Sequence, residues 1–461
     1  MKNILLVLLY SIPFCFYAQF GEQQIIDDEV PSSWSIYVAD LDGDGYQDLL
    51  ATEELDSKIV WYKNTSIGGL GNFGEQQLIA ANLEYTRYVT AADIDNDGDM
   101  DVLATSASND LVVWYENVDG LGNFGPQQII SSNLDLPKMV ITGDVDGDGD
   151  LDTLAASRLD NTLSWYENID GLGNFGPQQI ITNSALNVAS IFFADINGDG
   201  IKDVICDSSN NGIGNPSWFE NDGLGNFGSL QEITTDTSGS NYVIADDVDG
   251  DGDMDILNIE FGGEIIAWYE NTDGQGTFSS KQIIMDEVLA PRQIVMADLD
   301  NDGDKDIIYN SNEVVDPDYL AWRANDGLGN FGIEQVITTN VVAARGIFVA
   351  DIDNDGDIDV FSSSIADHKI AWYENYTILG VEETLALKIK VYPNPINTVL
   401  HISNSSSYVI SSLQITNLQG KIIKQVSQNI NQLDISNLAS GVYFVKIITN
   451  KGSLIKKIIK E

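Results

Sequence analysis

Apolar and polar positions alternate along most of this chain in short runs broken by Asp, Gly and Asn. No stretch keeps a helical period. β-Branched and aromatic runs such as residues 88–92 and 102–105, bounded by turn residues, predict strands. The runs recur in a fixed order. An apolar run leads into an acidic string, and a second apolar run follows. A Trp arrives 21–24 residues after the string begins, usually within Trp-Tyr-Glu-Asn. Gly-Leu-Gly-Asn-Phe-Gly or a variant comes next, then Gln-Gln-Ile-Ile or similar. The string reads Asp-x-Asp/Asn-x-Asp-Gly-x-x-Asp. It begins at Asp40, Asp93, Asp144, Asp195, Asp247, Asp298 and Asp351, in steps of 53, 51, 51, 52, 51 and 53 residues. A constant period of this length marks a solenoid, an array or a propeller. Four strands in about 52 residues fit one propeller blade.

The ends of the array predict closure into a ring. Residues 20–26 read Phe-Gly-Glu-Gln-Gln-Ile-Ile and match residues 124–130, the last strand of an internal repeat. The seventh repeat stops after Trp372-Tyr373-Glu374-Asn375 and lacks that strand. The N-terminal piece is therefore expected to complete the last blade, removing an exposed edge. The fold class expected is all-β: a seven-bladed β-propeller followed by a small β-sandwich domain. The open stack is the alternative.

The spacing of the acidic string has a physical reason. Oxygens at positions one, three and five, a backbone carbonyl at seven and a carboxylate at nine can wrap one hard cation, and glycine at six permits the sharp turn. The expected ligands are Asp40, Asp42, Asp44, Tyr46 and Asp48 in the first loop, and Asp93, Asp95, Asp97, Asp99 and Asp101 in the second. The third offers Asp144, Asp146, Asp148, Asp150 and Asp152; the fourth offers Asp195, Asn197, Asp199, Ile201 and Asp203. The fifth has Asp247, Asp249, Asp251, Asp253 and Asp255, and the sixth Asp298, Asp300, Asp302, Asp304 and Asp306. The seventh has Asp351, Asp353, Asp355, Asp357 and Asp359. The seventh-position residues (Tyr46, Asp99, Asp150, Ile201, Asp253, Asp304, Asp357) would give main-chain carbonyls. Up to seven Ca²⁺ are expected. Zinc is disfavoured because His and Cys are absent from the loops. The neutral Asn197 is expected to weaken the fourth loop. A solvated acidic turn is the plain alternative.

Charge sharpens this picture. The chain has 71 acids against 22 Lys and Arg, a net charge of −49. That excludes ordinary nucleic-acid binding and works against anionic membranes and bare polyanions. The seven loops hold 32 of the 71 acids, so seven Ca²⁺ would bring −49 to −35. Much of the imbalance reads as a metal requirement. Residues 388–461 differ, with nine Lys against two acids, a charge of +7. The rest holds 13 Lys and Arg against 69 acids, a charge of −56.

Residues 1–18 read as a secretory signal: Lys2, an apolar run over 4–10, and Phe16-Tyr17-Ala18 before Gln19. No transmembrane segment is expected, since no run approaches about 18 apolar residues. Cleavage would leave Cys206 as the remaining cysteine, hence no intrachain disulfide. The expected organisation is a signal at 1–18, the propeller at 19–378, a linker at 379–387 and the C-terminal domain at 388–461.

The acidic loops and the Phe-Gly elements (Phe73-Gly74, Phe124-Gly125, Phe175-Gly176, Phe227-Gly228, Phe331-Gly332) resemble the FG-GAP/VCBS repeat family over about residues 20–376. The fifth repeat departs, with Phe278-Ser279. The Gly-Ala-Pro element of integrin α-heads is not evident, so an integrin-like ligand mode is not implied. The resemblance implies an extracellular Ca²⁺-stabilised scaffold. Residues 388–461 resemble the type A C-terminal sorting domain of the type IX secretion system of Bacteroidetes. The matching pieces are Val391-Tyr392-Pro393-Asn394-Pro395, Gly420-Lys421, Leu433-Asp434-Ile435-Ser436 and residues 438–446. This implies export across the outer membrane by that machinery, removal of the domain, and release or surface attachment.

Other signals carry less. Gly-Leu-Gly-Asn-Phe-Gly satisfies a dinucleotide fingerprint formally, but a strand follows it where that fingerprint needs a helix. It reads as a hairpin turn. The recurring Trp61, Trp114, Trp165, Trp218, Trp268, Trp322 and Trp372 read as packing between blades, with sugar stacking as the alternative. Cys206 reads as a small buried residue, and His368 has no indicated catalytic partner. Arg87, Arg158, Arg292, Arg323 and Arg345 break the repeat, as do insertions near 210–216 and 313–318. Non-repeating positions in a symmetric array are where function can diverge. The expected function is non-catalytic binding or adhesion to an extracellular glycan or protein. The alternatives are a polysaccharide lyase and a structural envelope component.

Overall fold

The computed structural model of the protein describes residues 19–65, 71–207, 214–260, 262–312, 318–377, 389–393, 395–404, 410–417, 421–427, 431–449 and 452–461. The chain forms two compact units, Met1–Asn375 and Tyr376–Glu461. The expected signal at 1–18 and linker at 379–387 lie outside the described residues.

The first unit contains seven four-stranded antiparallel sheets, one per repeat. The second repeat shows the order: Thr86–Ala92, Asp101–Ser106, Leu111–Tyr115 and Gln128–Ser131, paired in sequence order. The first strand lies innermost and leads into the acidic loop. The second strand is buried along its whole length, with an apolar centre at Val102–Ala104 and Asp101, Thr105 and Ser106 buried at its ends. The outer strand is half exposed, with Ile129 facing solvent.

The ring closes as the termini predict. Gln24–Asp27 pairs with Lys369–Tyr373, so the last sheet runs Gln24–Asp27, Lys369–Tyr373, Asp359–Ser364, Ala344–Ala350. Phe20 bridges Asn375. The inner strand Ile36–Ala39 packs on Ala344–Ala350, joining the first blade to the last.

Two repeated contacts fasten each blade to its neighbour. Trp61 is buried, and a Cβ added to Gly122 of the next blade would lie 2.3 Å from its indole. Gly122 also has φ +76°, a left-handed conformation that glycine adopts without strain. Trp114, Trp165, Trp218, Trp268 and Trp372 meet Gly173, Gly225, Gly276, Gly329 and Gly71 in the same way. Trp322 meets Phe20 edge-on instead, with ring centroids 6.4 Å apart. The glycine string is thus a hairpin turn that seats a neighbour's tryptophan. The second contact is the asparagine of Trp-Tyr-Glu-Asn. Asn117 Nδ2 donates to the Leu41 carbonyl of the preceding blade at 2.8 Å. Asn64, Asn168, Asn221, Asn271, Asn325 and Asn375 make the equivalent bond to Ile352, Ile94, Val145, Ile196, Val248 and Leu299.

The second unit has a three-stranded and a four-stranded antiparallel sheet. They share a core of Leu400, Leu413, Ile415, Val445, Ile447 and Ile458. This is the small β-sandwich expected from the sequence.

Candidate metal loops and a cationic central cavity

Every acidic loop follows an inner strand, so the loops share one end of the blades. The turns between second and third strands lie at the other end, with the starts of the inner strands.

Loop two shows how the chain shapes the site. Asp101 is fully buried. Its Oδ2 accepts the Ile94 amide at 2.9 Å and its Oδ1 accepts the Asn117 amide at 2.7 Å. Asp48, Asp152, Asp203, Asp255, Asp306 and Asp359 repeat this pair of bonds. The ninth-position carboxylate therefore ties the loop to the asparagine that links the blades. Position five accepts the amide of position seven in all seven loops. Asp93 accepts the Gly98 amide at 3.1 Å, a bond that depends on the sharp turn at that glycine.

These bonds turn carboxylates toward a common point. One oxygen from each of Asp93, Asp95 and Asp101 can lie within 4.8 Å of the others, as in Asp40/Asp42/Asp48, Asp144/Asp146/Asp152, Asp247/Asp249/Asp251 and Asp298/Asp300/Asp302. Burial pushes Asp101, Asp152, Asp255 and Asp306 up to about 7, against the bonds from backbone amides. The buried Oδ1 atoms of Asp42, Asp93 and Asp300 accept nothing among the described residues. Buried, unsatisfied, crowded carboxylate oxygens with no nitrogen or sulfur donors fit a hard divalent cation. The side chains of Asp99, Asp150, Asp253 and Asp304 sit where a Cβ on Gly120, Gly171, Gly274 and Gly327 would lie, against their own blade's hairpin.

Loop one departs. Lys63 donates to Asp42, and to Asp44 at 2.9 Å. It stands where other blades carry Glu116, Glu167, Glu220, Glu270 and Glu374. Glu116, Glu167 and Glu270 add repulsion that raises Asp95, Asp146 and Asp249, after burial as the main cause. Lys63 instead supplies positive charge from within the chain. Asn197 is the weak position visible in the ligand spacing, whereas Lys63 lies 15 residues beyond its loop's last ligand and is not visible there.

The second feature is a cavity of about 530 Å³ inside the ring. Its cations gather at the end away from the loops. Arg87, Lys138 and Arg345 sit at the second residue of the inner strands Thr86–Ala92, Pro137–Gly143 and Ala344–Ala350. Arg292 precedes Ile294–Ala297, and Arg158 follows Asp152–Ser157. Trp34, just ahead of Ile36–Ala39, organises them. The Arg87 guanidinium lies 3.7 Å from its ring centroid and that of Arg345 4.4 Å. Trp34 Nε1 donates to Glu54 at 2.6 Å, and Glu54 pairs with Arg87 at 2.7 Å. Burial and then the neighbouring arginines push Lys138 down to about 8; burial and then Arg292 and Arg87 push Arg345 down to about 10. Tyr37, Tyr88, Phe192, Tyr242 and Phe348 add aromatic wall. Asp246, toward the loop end, pairs with Lys305 at 2.7 Å.

Four of the five irregular arginines thus converge. Arg323 does not; it lies on Tyr319–Arg323 and donates to the Gly332 carbonyl. Trp34 and Lys138 were missed. Trp34 had a signal, being the one Trp out of register with the seven. Of the two insertions, residues 208–213 and 313–317 lie outside the described residues.

The FG-GAP-like repeat family matches residues 40–104, 93–155, 144–206 and 247–309. The secretion system C-terminal sorting domain matches residues 390–461. This is an exported FG-GAP-repeat propeller. Its sorting domain directs it through the type IX secretion system of Bacteroidetes to the cell surface or the extracellular space. No curated protein matches the chain. Among solved structures, the propeller is similar to an Agrocybe aegerita lectin that recognises non-reducing terminal N-acetylglucosamine. The two are 22% identical with a TM-score of 0.51, over 68% of this chain and 81% of that one. A BBS1N structure in complex with ARL6DN is 8% identical, TM-score 0.54, over 78% and 97%. The extracellular domain of a B. thetaiotaomicron hybrid two-component system is 10% identical, TM-score 0.51, over 96% of this chain and 59% of that one. At these identities the likeness concerns the fold. Among the described residues no helix is long and apolar enough to cross a membrane.

Proposed function

We propose that this propeller is a calcium-held, non-catalytic binding module that captures a glycan or protein outside the cell. Ca²⁺ serves the scaffold. The aspartates of each loop would hold it, and its charge would offset the repulsion among them. At a free concentration about 100 times its dissociation constant, one site contributes roughly 2.7 kcal/mol. The observation that carries the binding role is the cavity, where side chains that break the sevenfold repeat converge on one space. Repeated residues build the frame, and these do not repeat. Burial holds the Tyr88 and Tyr242 phenols protonated, the latter pushed up to about 12, which favours recognition over proton abstraction. The test is a glycan array on the propeller, with and without Ca²⁺. Retention of a defined glycan without turnover supports the reading.

A second reading has one observation behind it. Lys138, pushed down to about 8, could take the proton from the carbon that bears a uronate carboxylate as the neighbouring C–O bond breaks and a C=C bond forms, the leaving oxygen being protonated by water. New ultraviolet absorbance from an unsaturated uronate would establish that lyase reading.

A further inference from the structure

We propose that the Trp34 end of the central cavity recognises the acidic groups of an anionic oligosaccharide, carboxylate or sulfate. The proposal rests on the binding role given above and names its ligand class.

The chain carries −49, yet Arg87, Lys138, Arg158, Arg292 and Arg345 come from four different blades to one end of one cavity. Glu54 offsets one of them through Arg87. Asp207, held by the Ala189 and Ser190 amides, and Asp318, held by the Ala343 amide, lie nearby. Even with both counted as charged, the five cations outnumber these three carboxylates. Two guanidiniums are held over one indole, a geometry that fixes their planes before a ligand arrives. The Arg87 Nε and Nη1 and the Arg345 Nε are buried and donate to nothing among the described residues. Unused donors on a fixed guanidinium suit a planar carboxylate or a sulfate. Lys138 shows the cost of leaving them together, since its ammonium is weakened by burial and by those arginines. An entering anion would relieve it.

Net acidity does not forbid this. Inner strands of four to seven residues separate the loops from the cations by about 13–23 Å. That separation exceeds the Debye length of about 8 Å at physiological ionic strength, so through solvent the loops act on the cavity only weakly. The whole-chain charge is an average and does not report the sign of this one part of the cavity lining. Aromatic wall beside Asn241 and Gln293 suits a saccharide ring carrying those acidic groups.

The test is calorimetric titration of the full chain in calcium buffer with trigalacturonate, a sulfated disaccharide and neutral galactotriose. An acidic probe should bind and the neutral one should not, with affinity falling as salt rises. Arg345→Gln and Lys138→Gln should each weaken binding about ten- to a hundredfold, while melting at or above the wild-type temperature because cation crowding is relieved. The arm that binds tells carboxylate from sulfate. Equal affinity for galactotriose, unchanged affinity in both variants, or no acidic binding at millimolar concentration would each overturn the proposal. If a neutral glycan is then retained on the array, the binding role stands without it. Unsaturated product from trigalacturonate would remove the non-catalytic role and leave anion recognition in place.

Discussion

Asn168→Ala should cost the propeller about 2–5 kcal/mol although it touches no ligand. Asn168 is fully buried. Its Nδ2 donates to the Ile94 carbonyl of the neighbouring blade at 2.8 Å and to Leu151 at 3.4 Å, and its Oδ1 accepts the Gly173 amide at 3.0 Å. Alanine removes all three bonds and keeps the main-chain bond to Asp152. The Ile94 carbonyl and the Gly173 amide would then be left dry, at about 1–2.5 kcal/mol each. At about 2.1 cal/mol/K of unfolding entropy per residue, a propeller of about 350 residues loses roughly 1.4 °C per kcal/mol, so the melting temperature should fall by about 3–7 °C. Asn168→Asp preserves shape and the acceptor but sets an oxygen against the Ile94 carbonyl, and should be no better than alanine. Differential scanning calorimetry in excess Ca²⁺ reads both. If both variants melt within about 1 °C of wild type, the asparagine ring does not hold the blades together.

Other predictions follow from the loops and the tail. Asp97→Ala should lower the bound Ca²⁺ measured by elemental analysis by one ion, and an excess of chelator should lower the melting temperature. Lys63→Ala should strengthen cation binding at loop one, because the ammonium on Asp42 and Asp44 is gone; competition with a chromophoric chelator reads it, and unchanged binding would show that Lys63 does not compete. In chelator, Asp101, Asp152 and Asp255 hold protons to about pH 7 in the folded state, against about 3.9 when unfolded. Their stabilising effect is therefore complete below about pH 4 and lost as pH rises through 7, so the chelated protein should melt lower at pH 8 than at pH 6. Saturating Ca²⁺ should cancel or reverse that slope. Gly122→Ala should destabilise by about 1–3 kcal/mol through overpacking against Trp61, read by denaturant unfolding. Deletion of residues 388–461 should leave the propeller inside the cell envelope, read by immunoblot of culture medium and cell fractions.

The scaffold was legible because it is written seven times. One acidic turn is ambiguous, but seven in register fix the strand order, and the leftover Phe-Gly-Glu-Gln-Gln-Ile-Ile segment fixes the closure of the ring. The interblade roles were only half legible. Trp61 and its equivalents read as packing, but the partner glycine lies in the next repeat, and Asn117 reaches Leu41 across 76 positions. Lys63 illustrates the limit from the other side. Its departure from Glu is plain in the sequence, yet its seat on Asp42 depends on how the third strand crosses the loop.

Local patterns determined the repeat, the strands, the cation-shaped loops and the export tail, because each depends on residues close in sequence. The cavity is different. Trp34, Arg87, Lys138, Arg292 and Arg345 are scattered over about 310 positions in an acidic chain, and each alone is an ordinary irregularity. Closing seven blades into a ring points the starts of their inner strands at one axis. That geometry alone gathers these four dispersed cations and Trp34 into one site.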